Sequence, residues 1–141
     1  MKIKYFMFVL FVWCLLVNGL SYGIAEEKKK GESVVHGVTI VTMDAPLRAT
    51  IGRKVNVEVI VGNERATKVT TILTVTCPTT KQQIGREAET LDGLSSQKIV
   101  YSWNTEGLKE GTYVIRAEVE KVPGETDVND NVRQLEIILE R

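Results

Sequence analysis

The sequence predicts an all-β chain folded as a two-sheet antiparallel sandwich of about seven strands. Three observations carry that expectation. Apolar residues recur with period two from Val38 onward, as in strands with one face on a core and the other in water. β-Branched residues fill these runs, as strands prefer. Clusters of Gly, Pro, Asn and Asp separate them, and no long stretch carries a helical stripe.

Val38–Met43, with Arg48–Ile51 beyond Pro46, supplies the first edge strand. Lys54 to Val61 places Val55, Val57, Val59 and Val61 on one face. Val69, Thr71, Leu73, Val75 and Cys77 then alternate with Thr70, Ile72, Thr74 and Thr76. Ile84–Glu89 reads as a short, polar extra strand. Ile99, Tyr101 and Trp103 form the next inward face, followed by Tyr113, Ile115, Ala117 and Val119, and finally by Leu135, Ile137 and Leu139. Gly62-Asn63, Pro78-Thr79-Thr80, Asp92-Gly93, Glu110-Gly111 and Pro123-Gly124 mark the turns. Pro46, Pro78 and Pro123 all fall between runs, where a missing N–H costs no ladder bond. Inward parity assigns Trp103, Tyr113, Tyr101 and Cys77 to the core. A chain of this size buries roughly 60–70% of its unfolded surface, enough to fold without disulfides.

The first 25 residues differ from the rest. Lys2 and Lys4 precede an uncharged run from Tyr5 to Leu20, and small residues follow at Gly23 and Ala25. This is the pattern of a secretory signal peptide cleaved after Ala25. The apolar run has 16 residues, short of the roughly 20 that span a bilayer core. Contact with a membrane is therefore expected only through this segment, if it is retained. Cys14 sits inside the run behind bulky Trp13, unlike a lipid-modified cysteine. Residues 26–34 are a charged leader, expected to be disordered, and residues 35–141 form the domain.

Composition removes several functions. Without residues 1–25, 16 basic side chains face 18 acidic ones, so nucleic acid is not an expected partner. One Cys (Cys77) and one His (His36) remain beyond the signal segment, too few for an internal disulfide or an ordinary zinc site. A nucleophile–His pair would have to use His36, just past the lysine-rich leader. The chain is therefore expected to be no enzyme and to carry no cofactor.

The last third of the domain carries a recognisable order. Val100-Tyr101-Ser102-Trp103 is followed by Gly111-Thr112-Tyr113, then by Glu125-Thr126-Asp127-Val128-Asn129-Asp130-Asn131. This resembles the CARDB domain (cell adhesion related domain found in bacteria), an immunoglobulin-like β-sandwich. The resemblance covers about Val35 to Arg141, with Gly62-Asn63 reversed and Glu120 in place of a usual Asp. It implies an immunoglobulin-like fold and an adhesion or binding role, with Tyr113 similar to the hydrogen-bonded corner tyrosine of such sandwiches. Such domains frequently occur in tandem or attached to larger exported proteins, whereas this sequence shows one copy.

Asp127, Asn129 and Asn131 match the opening of a calcium loop. Val132 and Ile138 then stand where that motif needs Gly and Glu. The other reading is a turn in which Asx side chains bond their own backbone. Outward-facing Ile60, Ile72, Val100, Val114 and Ile138 are candidates for a partner patch. The expected function is an exported binding or adhesion module acting on a protein or cell-surface polymer, in the periplasm, cell envelope or outside the cell. The alternatives are a structural or accessory subunit of an envelope assembly, or a small protease inhibitor. An inhibitor would offer Pro78–Lys81 or Asp92–Leu94 as bait.

Overall fold

The structure is a computed structural model that describes residues 33–141. The signal peptide expected over residues 1–25 lies outside the described residues, as does the leader except for Ser33 and Val34, which are exposed. Eight strands follow in order: β1 Val38–Asp44, β2 Arg48–Thr50, β3 Lys54–Asn63, β4 Val69–Cys77, β5 Gln82–Leu91, β6 Ser96–Asn104, β7 Gly111–Val119 and β8 Val132–Glu140. They form a three-stranded sheet ordered β1-β3-β6 and a five-stranded sheet ordered β2-β8-β7-β4-β5.

The expected first edge strand is two strands in different sheets. β1 pairs antiparallel with β3, whereas β2 pairs parallel with β8, with Arg48 opposite Ile138. The link between them contains Pro46, which has no N–H to continue the β1 ladder. The chain therefore crosses between sheets there, and the Leu47 carbonyl accepts the Ile138 N–H at 2.9 Å. All other ladders are antiparallel. β5 runs beyond the expected Ile84–Glu89 at both ends.

Alternation decides the core. Val55, Val57, Val59 and Val61 of β3 meet Leu73, Val75 and Cys77 of β4, Ile115 and Ala117 of β7, and Ile137 and Leu139 of β8, all buried. Trp103 and Tyr113 join the two sheets, their ring centroids 5.6 Å apart and tilted by 58°. The indole Nε1 donates to Gln82 Oε1 at 3.3 Å. Tyr113 Oη donates to the Lys109 carbonyl at 2.8 Å, tying the β6–β7 loop to the start of β7.

β5 approaches β6 closely at Gly85, where an added Cβ would overlap the Tyr101 ring. Gly85→Ala is thus expected to cost about 1–3 kcal/mol by overpacking. Urea midpoints measure the cost. In a double-mutant cycle with Tyr101→Leu the two effects should fall well short of additive.

Candidate functional site

One end of the sandwich gathers the segment before β1, the β3–β4 loop, the β5–β6 loop and the β7–β8 loop. Two buried polar side chains organise it. Asn63, 3% exposed, lies at the end of β3. Its Nδ2 reaches the carbonyls of Thr67 (2.8 Å), Asp92 (2.9 Å) and Leu91 (3.4 Å), and its Oδ1 accepts the Arg65 N–H at 2.9 Å. Glu125, 6% exposed, accepts the Val38 N–H through Oε1 at 2.8 Å. Its Oε2 accepts the Val122 N–H at 2.9 Å and Asn131 Nδ2 at 3.2 Å. Buried polar groups need such partners, so these two residues fix loops that would otherwise be free.

The three residues of the calcium candidate take separate jobs. Asn131 turns inward to Glu125. Asp127 accepts the Asn129 N–H at 3.4 Å and faces His36, whose Nδ1 lies 3.5 Å from Asp127 Oδ2 and 3.3 Å from Glu64 Oε2. Asn129 itself is exposed. Among the described residues no group of three or more His, Cys, Asp or Glu side chains is placed to hold a metal ion.

Four large apolar side chains remain exposed at this end: Val34 (62%), Val35 (40%), Leu94 (73%) and Val128 (44%). Leu94 is unusual because its φ is 53°, a left-handed conformation that costs a bulky residue energy. The surroundings enforce it. The Leu94 N–H donates to the Arg65 carbonyl at 2.7 Å, Asn63 N–H donates to the Ser95 carbonyl at 2.8 Å, and Ser95 Oγ donates to the Asp92 carbonyl at 2.8 Å. A side chain at Gly93 would overlap the Ala66 carbonyl, so the two loops sit in backbone contact. Leu94 therefore projects into solvent from a clamped tip. The sequence read Asp92-Gly93 as a turn but carried no signal for a left-handed leucine after it.

Neither proposed bait loop is extended. Lys81 has φ of 57° in a turn closed by the Lys81 N–H to the Pro78 carbonyl, and Leu94 is left-handed as well. A protease takes its substrate chain extended, like an added strand, so these loops do not present as bait. The outward patch also divides. Ile72 lies level with Glu120 past the end of β7, while Ile138 lies opposite Thr112 near its start. About 26 Å of strand separates them, with the Arg86–Glu120 and Arg116–Glu118 ion pairs on the same sheet. Ile60 and Val100 sit on the other sheet, with Lys98 and Glu58 as their respective cross-strand partners. The aromatic core residues Trp103, Tyr113 and Tyr101, together with Cys77, are all buried.

These features define an immunoglobulin-like sandwich with a structured loop end. Within that class the fold is CARDB-like. The CARDB domain of a Pyrococcus furiosus protein, in complex with di-metal ions, matches with a TM-score of 0.63 at 20% identity, covering 72% of this chain and 91% of that one. A domain of a Methanosarcina acetivorans protein described as a cell surface protein matches at 0.58 and 10% identity, covering 76% of this chain and 94% of that one. A β-glucosidase of Erythrobacter marinus matches at 0.59 and 14% identity, over 74% of this chain but 15% of that much longer one. No protein-family model and no curated protein matches the sequence.

Proposed function

We propose that this is an exported, non-enzymatic binding module that docks a protein partner through its loop end. One observation carries the reading. Leu94, 73% exposed, is held at a clamped tip in a backbone conformation that its own side chain disfavours. An ordered apolar residue in solvent gains nothing in the free domain, whereas in a partner's pocket it is a preformed anchor. The CARDB-like fold and its match to a domain of a cell surface protein support an extracytoplasmic setting, as does the signal-like segment at residues 1–25.

Crosslinking capture from envelope extract tests the reading, with the purified protein and its Leu94→Asp variant as paired baits. Crosslinks from a captured protein are expected at Lys68, which pairs with Asp92 of the Leu94 loop, and at Lys121 on the β7–β8 loop of the same end. The variant should capture at least about tenfold less with an unfolding midpoint no lower than that of the unaltered protein, since Asp tolerates the left-handed conformation better than Leu. Recovery of polysaccharide in place of protein, crosslinks away from this end, or equal capture by the variant would overturn it.

A further inference from the structure

The free edge of the five-stranded sheet holds charges that no contact above uses. Among the described residues β5 pairs with β4 on one side and with no strand on the other. Gly85, Glu87 and Glu89 share its inward parity, and at this rim that parity faces β6. Gly85 lies against the Tyr101 ring, and Gln97 Nε2 donates to Glu89 Oε2 at 3.1 Å. Glu89 is 7% exposed and Tyr101 6%, whereas Glu87 stands at the exposed lip of the rim, and among the described residues the buried Tyr101 hydroxyl has no hydrogen-bond partner. Among the described residues neither Glu87 nor Glu89 has an ion-pair partner. Burial first, then Glu87 and Glu89, push the Tyr101 phenol up to about 12. Burial first, then Glu87, raise Glu89 above the ordinary carboxylate value. Alternate residues of a strand stand roughly 7 Å apart, a gap one cation can bridge. A buried carboxylate without a counter-charge is costly, and a cation is what this rim lacks.

The same charges discriminate between partners. A second copy adding its β5 antiparallel about Ala88 would set Glu87 opposite Glu89 at each side of the axis, and like charges directly opposed destabilise a ladder. A strand with a basic side chain at that position meets the reverse situation.

We propose that the free edge of β5 receives an extended segment of a partner protein, whose inward-facing lysine or arginine lodges between Glu87 and Glu89 beside the Tyr101 hydroxyl. Main-chain bonds to β5 hold such a strand, and the cation sets its register and selects it. This edge is distinct from the loop end, and Leu94→Asp leaves it intact.

Titration of the purified protein with a short peptide of alternating threonine and lysine, followed by backbone amide NMR, tests the proposal. Saturable shifts and slowed hydrogen exchange are expected along Arg86–Leu91 and in the facing part of β6. Binding should weaken at least about tenfold in Glu87→Gln/Glu89→Gln. Acetylating the peptide's lysines should abolish binding to the unaltered protein, as should replacing them by glutamate. Shifts scattered over the surface, affinity indifferent to the double substitution or to acetylation, or saturation of this rim by calcium ion with no response to the peptide would overturn it.

Discussion

Glu125→Ala is expected to destabilise the domain by about 3–5 kcal/mol, although the residue lies in a loop. The substitution leaves the Val38 N–H, the Val122 N–H and Asn131 Nδ2 without their acceptor in a buried place. Each unsatisfied group costs about 1–3 kcal/mol, and water entering the vacated space offsets part of the sum. Domains of this kind have total stabilities of about 5–15 kcal/mol, so the variant stands near the threshold of folding. Urea unfolding checks the loss as a fall in midpoint at constant slope. Glu125→Gln, which keeps one carbonyl acceptor, should fall between the two. The same experiment addresses the calcium candidate. A calcium loop at Asp127, Asn129 and Asn131 would make wild-type stability depend on the ion. With Asn131 committed to Glu125, the midpoint is expected to be the same in calcium and in a chelator.

Strand positions and the inward face were legible because period-two alternation is a local signal. Val55, Val57, Val59 and Val61 announce their face without reference to any partner. Sheet membership was not legible. Arg48–Thr50 continues the β character of Val38–Asp44, and nothing local says that the chain changes sheets at Pro46 and runs parallel to β8. Asn63 shows a second limit. Gly62-Asn63 has the composition of a turn, yet both residues end β3, and the Asn side chain joins the loop that follows it to the β5–β6 loop, 29 residues on at Asp92. Glu125 shows a third, since a glutamate in a polar loop reads as solvated until its three donors are assembled around it. At the β5 edge the parity of Glu87 and Glu89 could be read. The strand that faces them could not, because that depends on sheet order. The exposed, left-handed Leu94 runs against the residue preferences of its own turn, and such local conflicts concentrate where function is served.

Trp103→Ala is the other large effect, expected to cost about 3–5 kcal/mol. It acts at the opposite end of the sandwich from Glu125. Trp103 is 1% exposed and pairs with Val55 near the start of β3, far along the strand from Asn63. Its removal leaves a cavity between the sheets, separates Tyr113 from its aromatic partner, and loosens the contact with Gln82 of β5. Trp103→Phe keeps most of the ring contact and should cost roughly half as much. Far-ultraviolet circular dichroism during thermal melting checks both without using the lost indole as the probe. The location of the two lesions separates stability from binding. Below its lowered melting point, Trp103→Ala should still present Leu94 on the loop clamped by Asn63, beside the segments held by Glu125, and capture of a partner should match wild type. Glu125→Ala should lose capture at temperatures where its sandwich is still folded, because the β7–β8 loop and the segment before β1 lose their shared acceptor. If both variants lost capture strictly in step with global unfolding, the loop end would be no more than a passive part of the core.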